Sequence, residues 1–312
     1  MEAVVGIVLP VFGLVALGYG ASWTGWFTEQ ANDGLTRYVF AFAIPVLLFR
    51  TLATTALPDD LPLGFLAAYY LGLLTVFAGG LIAARMLFRQ DLGGQTISGT
   101  AAGYGNTVLL GIPIVLAAFG EAGAVPLFLV IAIHSPLMFP IITILLEIAK
   151  RREANLWRLP WLVLKGLMTN PIFVGLLVGL AFNLLNMPIW APVDRMAELL
   201  SMSVAPCALF AVGASLFRYR IFGNIAHCLV LTALKTLVFP AIVWVLAFQV
   251  FLVEPLWGAV AVVLAAQPAG VNAFLFANRY GVGEGRASST VLISTAFSVV
   301  TLSVILHLLT VI

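Results

Sequence analysis

Charge is scarce in this sequence. Its 312 residues include 15 Lys and Arg and 13 Asp and Glu, 9% of the chain, where a water-soluble protein carries about a quarter. That excludes an ordinary water-facing surface. Cysteine is nearly absent: Cys207 and Cys228 both sit inside apolar stretches and read as small packing residues, not as a disulfide or a metal site. With three histidines, no His-Glu-x-x-His motif and no carboxylate pair within a span, metal-dependent intramembrane chemistry has no ligands. Ser294 with His134 is the one serine–histidine pairing left open, and nothing selects it, so the chain is read as a non-enzyme without cofactor or metal. The few basic residues lie between apolar segments, which excludes a nucleic-acid partner. Strict apolar/polar alternation is missing, which excludes a membrane β-barrel.

What is present is apolar: 62% of residues are hydrophobic and the mean hydropathy is +1.11. Runs of roughly 20 residues or more suit a hydrocarbon core about 30 Å thick. Reading them against Gly, Pro and charge punctuation gives ten spans, at about 2–22, 32–54, 62–86, 95–120, 122–147, 162–186, 192–216, 225–250, 256–279 and 287–310. The start, Met1-Glu2, has no basic n-region, so the first span reads as a retained helix and not a signal peptide. Asp59, Asp60, Glu121, Asp194, Arg195, Glu198 and Glu254 fall in loops on one side. Arg85, Arg89, Lys150, Arg151, Arg152, Arg158, Arg218, Arg220, Arg279 and Arg286 fall on the other. Because cytoplasmic loops collect Lys and Arg, both termini are expected outside, in a multi-pass protein of the cell (inner) membrane.

Sliding the sequence on itself by 161 positions brings Pro10 onto Pro171, Phe12 onto Phe173, Gly18 onto Gly179, Asp33 onto Asp194, Pro45 onto Pro206 and Phe49 onto Phe210. Two prolines, an Asp and two Phe at one shift point to duplication. The expected units are residues 1–148 and 162–312, joined by a cytoplasmic connector at 149–161. With five spans each, an odd number, the copies enter the membrane in opposite senses. Inverted repeats of this kind mark carriers whose substrate sits at mid-membrane between the copies.

Spans four and nine are interrupted. One reads Gly103-Tyr-Gly105-Asn106-Thr107-Val-Leu-Leu-Gly111-Ile-Pro113, the other Gln267-Pro268-Ala-Gly270-Val-Asn272. Proline removes a backbone N–H and glycine tolerates non-helical dihedrals. In lipid, backbone so freed is tolerated only when buried in protein or lining a cavity. Half-helix N-termini suit an anion, and Asn106 and Asn272 add directed donors. Two ionisable side chains also lie near span centres, His134 and Lys235. Lys235 either balances a bound anion or bonds exposed carbonyls of span nine. His134 either meets substrate, relays a proton or is structural. No Asp or Glu lies near any span centre, which favours an anionic substrate over a cationic one. A channel would show rings of like polar residues from symmetric subunits, and this chain carries its symmetry internally.

The words Asn106-Thr-Val-Leu-Leu-Gly-Ile-Pro-Ile114 with Phe119-Gly120, then Asn170-Pro171, then Gln267-Pro268-Ala-Gly-Val-Asn-Ala273 with Tyr280-Gly281 resemble the auxin efflux carrier family, and the whole chain looks like a short-loop bacterial member. The resemblance implies an all-α fold of ten helices as two inverted five-helix repeats, with broken, crossing helices 4 and 9, of the sodium/bile acid symporter or NhaA-like kind. It implies a scaffold of helices 1, 2, 6 and 7, a transport domain of helices 3–5 and 8–10, and an elevator-type carrier of a small carboxylate such as malate or malonate. Scaffold-to-scaffold homodimers fit this architecture. The expected substrate residues are Asn106, Thr107, Pro113, Gln267, Pro268 and Asn272, with His134 and Lys235; Pro45 and Pro206 are the expected hinges. Sodium-coupled symport and a non-transporting sensor or channel stay open as alternatives.

Overall fold

The structure, a computed structural model, describes residues 2–57, 62–150, 159–219 and 224–309. Asp59, Asp60, Arg151, Arg152, Arg158 and Arg220, and most of the 149–161 connector, lie outside these. Among the described residues the regular structure is helical, with a single isolated β-bridge between Gly105 and Ala269. Seven helical runs are long and apolar enough to cross a membrane: Val5–Trp23, Glu29–Thr54, Leu63–Met86, Gly111–Ala149, Ala191–Arg218, Ile225–Val250 and Glu284–Leu309. Pro171–Leu184 and Pro255–Ala265 are shorter and equally apolar. The chain is thus a polytopic α-helical membrane protein.

The helices are α1 (Glu2–Trp23), α2 (Glu29–Tyr38), α3 (Ile44–Thr54), α4 (Leu63–Met86), α5 (Leu92–Gly103), α6 (Gly111–Phe119), α7 (Ala124–Ala149), α8 (Leu159–Met168), α9 (Pro171–Leu184), α10 (Ala191–Met202), α11 (Val204–Arg218), α12 (Ile225–Ala233), α13 (Phe239–Val245), α14 (Pro255–Ala265), α15 (Val271–Tyr280) and α16 (Glu284–Leu309). Local chemistry sets their ends. Thr28, Asp91, Asn170 and Asn224 each accept a backbone N–H from the first turn they precede, the N-cap role of short polar side chains. Prolines account for two of the irregular turns. A π-helical turn, Val39–Ala43, precedes Pro45, and another, Leu234–Val238, precedes Pro240. In both, the carbonyl four residues back loses its donor and is crowded by the ring, so the helix widens.

Two groups of helix contacts stand out. In one, α1 lies along α11 and α3 along α9. Both crossings are backbone on backbone: a Cβ on Gly18 would stand 2.0 Å from the Phe210 carbonyl oxygen, and one on Gly179 2.6 Å from that of Phe49. Small residues permit such approaches between helices in lipid, where dispersion replaces the hydrophobic effect as the driving force. Ion pairs join α3 to α10 and α2 to α11. Arg50 donates to both carboxylate oxygens of Asp194, at 2.6 and 3.2 Å. Arg218 pairs with Asp33 at 2.9 Å and Glu29 at 3.1 Å. In the other group α4 packs on α5, α13 and α14, while α16 holds α12 and α15.

Of the expected hinge residues, Pro45 is buried, with its carbonyl against Gly175. Pro206 is exposed on α11, after the break at Ser203 that separates α10 from α11.

Candidate functional site

The two interrupted segments meet. After α5, residues from Tyr104 onward leave the helix until α6 starts at Gly111; after α14, Ala266 to Gly270 do the same until α15 starts at Val271. The two stretches cross antiparallel. Asn106 N donates to Pro268 O at 2.9 Å, and Gly270 N donates to Tyr104 O at 2.8 Å, bracketing the Gly105–Ala269 bridge. Ala269 N donates to Ser294 Oγ on α16 at 3.0 Å. Backbone polar groups at this depth have no water to turn to, so each break supplies partners for the other. Glycine is required by proximity: a Cβ on Gly270 would stand 3.0 Å from the Gly105 carbonyl oxygen.

The last turn of α14 shows the same complete pairing. Its terminal carbonyls have no intrahelical donor by rule. Here Val262 O accepts from Ala266 N at 2.9 Å, Leu264 O from Gln267 N at 3.4 Å, and Val263 O from Gln267 Nε2 at 3.0 Å. Ala265 O accepts from Lys235 Nζ. Lys235 comes from the π-helical turn before Pro240, is fully buried, and lies with Nζ 4.6 Å from the centre of the Phe239 ring. Of the two roles open for it in the sequence, the bond to a span-nine carbonyl is the one this geometry presents.

In front of the crossing is a cavity of about 730 Å³, within the range of small-molecule sites. Asn106 and Thr107 line it from the first break, Asn272 and Gly270 from the start of α15. Tyr104 lines it too, its hydroxyl 2.7 Å from Ser135 Oγ and beside the Asn272 amide. Asn32 donates to Ser215 Oγ at 2.9 Å on the opposite wall. Glu29, Asp33, Arg218 and Glu284 stand among the lining residues as its charged groups.

The expected site residues therefore separate. Asn106, Thr107 and Asn272 reach the cavity. Pro113 is buried in the first turn of α6, Pro268 serves through its carbonyl, and Gln267 is fully buried behind the crossing. His134 is also behind it, its ring 4.4 Å from that of Tyr104 and 6.0 Å from that of Tyr69, and neither ring nitrogen has a partner among the described residues. One residue along α7, about 100° around the helix, Ser135 takes the cavity-facing place instead. Ser294 accepts from Ala269 N and donates to Val291 O, so it does not engage His134. Tyr104, Ser135, Asn32 and Arg218 were not singled out as site residues from sequence. Tyr104 alone carried a signal, its position between the two glycines of the break.

Residues 3–306 match the family described as membrane transport protein. A "Putative malonate transporter" of Rhizobium meliloti is 28% identical over 313 aligned positions, covering 99% of this chain and 97% of that protein. An "Uncharacterized transporter" of Methanothermobacter thermautotrophicus is 28% identical over 95% of both chains. "Auxin efflux carrier component 3a" of rice (Oryza sativa subsp. japonica) is 29% identical over 155 positions, 48% of this chain and a quarter of that protein. With a match running nearly end to end and these relatives, the chain belongs to the membrane transport protein family, whose members include the auxin efflux carriers.

Proposed function

We propose that this protein is a secondary carrier that moves a small organic anion, with malonate-like dicarboxylates the first class to test. The observation that carries this reading is the cavity at the crossing: two amides, Asn106 and Asn272, and the N-terminus of α15 face one space. Amide N–H groups and a helix N-terminus favour carboxylate oxygens, and the malonate name of a full-length relative agrees.

The motion proposed is an elevator. α1 to α3 with α8 to α11 form the scaffold, and the helices around the crossing move against it, hinged near Pro45 and Pro206. The inverted repeat is supported by contacts related by 161 positions: Gly18 on Phe210 and Gly179 on Phe49. The ion pairs made by Asp33 and Asp194, also 161 apart, join the same two spans at opposite ends. Gly285 borders both the cavity and a second surface pocket that contains Arg89 and Arg286. The neighbouring basic pocket supports the reading of a cytoplasm-facing cavity with both termini outside.

Malonate counterflow in proteoliposomes tests the reading. Trans-stimulation by unlabelled malonate marks a carrier, since a channel shows none. Asn106→Ala and Asn272→Ala variants that exchange at the wild-type rate would put the substrate elsewhere.

A further inference from the structure

Lys235 is the only Lys, Arg, Asp or Glu among the buried residues described, and the substrate cavity does not include it. Its surroundings are those of a bound cation. The ammonium donates to Ala265 O, the last residue of α14, where the half-helix dipole is negative. It faces the Phe239 ring at 4.6 Å, the negative face of a π system. Gln267, whose Oε1 has no partner among the described residues, flanks the same point: a Cβ on Gly105 would lie 3.1 Å from Lys235 Nζ and 3.6 Å from Gln267 Cβ. The titratable side chains of this cluster are Tyr69, Tyr104 and His134, and none is a carboxylate.

In carriers built from broken helices, carbonyls at half-helix C-terminal ends are the ligands for coupling sodium. An alkali ion needs several such oxygens together. Here Val262, Val263 and Leu264 carbonyls are already taken by Ala266 N, Gln267 Nε2 and Gln267 N, and Ala265 O by Lys235. We infer that the Lys235 ammonium is a tethered substitute for a coupling alkali cation at the α14 end of the crossing, and that the carrier works without sodium. This rests on the carrier reading above.

Two measurements test it. In the first, wild-type protein in proteoliposomes performs malonate counterflow with sodium or with choline at equal ionic strength. The expected rates agree within about twofold, whereas a coupled ion changes affinity by about 5-fold or more. In the second, purified Lys235→Ala protein is melted with sodium, potassium, choline or ethylammonium chloride. The expected result is a melting temperature about 5 °C or more below wild type, raised again by ethylammonium and not by choline, because the small ammonium refills the position of the deleted one. Wild-type counterflow that collapses in choline overturns the inference. So does a Lys235→Ala protein that melts like wild type and ignores ethylammonium. Should the variant not fold, the sodium comparison on wild-type protein decides alone. If no carboxylate gives counterflow, the carrier reading fails, and the ethylammonium response still decides the Lys235 assignment.

Discussion

Gly18 lies so close to Phe210 that a Cβ added to the glycine would stand 2.0 Å from the phenylalanine's carbonyl oxygen. The pair 161 positions on, Gly179 and Phe49, repeats the approach at 2.6 Å. Backbone cannot yield as a side-chain end can, so Gly18→Ala and Gly179→Ala must push helices apart. Each is expected to cost about 1–3 kcal/mol, the range for overpacking. Gly13→Ala is the control, with nothing within 4 Å of its added Cβ. Melting curves in detergent compare the three, and equal melting of all of them would remove the close packing from the account.

The Arg50–Asp194 pair is bidentate and about a third exposed on each side. A double-mutant cycle with Arg50→Ala and Asp194→Ala is expected to give only a small interaction, because solvent screens it. The charge-swapped Arg50→Asp with Asp194→Arg protein should recover most of what either single swap loses. Chemical or thermal denaturation of the four proteins reads this directly.

Asn272 sits at the second position of α15 and lines the cavity. Asn272→Asp preserves size and adds a negative charge where the substrate carboxylate is proposed to bind. Repulsion at close range should raise the KM for malonate by about tenfold or more, with little change in melting temperature, because an acid suits a helix N-terminus. Initial uptake rates against malonate concentration separate KM from maximal rate, and an unchanged KM would count against the placement of the anion.

Ser294 accepts the backbone N–H of Ala269 at the crossing. Ser294→Ala leaves that buried donor unpaired, at an expected cost of about 1–3 kcal/mol. Hydrogen exchange at the Ala269 amide should rise in the variant while exchange in α1 and α11 stays as in wild type.

Much of this architecture is legible in the sequence because lipid imposes simple rules. Backbone groups must be satisfied within helices, so apolar runs and prolines mark spans and breaks. The Gly-Pro-Asn words of spans four and nine point at the crossing for the same reason. Direction of side chains is not legible in this way. Ser135 and His134 are neighbours in sequence, yet one lines the cavity and the other lies behind the crossing. Arg218 reads as a loop cation from charge patterning, and in the structure it closes the cavity wall against Asp33 and Glu29.

By itself, then, the sequence determined that the chain crosses the membrane as helices, that Pro10, Pro45 and Phe49 recur in kind 161 residues on, and where two helices must break. These follow from hydropathy and from the missing proline N–H, both local properties. Only the tertiary structure decided that the breaks pair with each other, that Asn106 and Asn272 face one cavity, and that Lys235 closes the end of α14. Those outcomes depend on how α5, α14, α16 and the turn before Pro240 converge. In a bilayer that convergence is driven by finding partners for freed carbonyls and N–H groups, and partners distant in the chain leave no spacing to read.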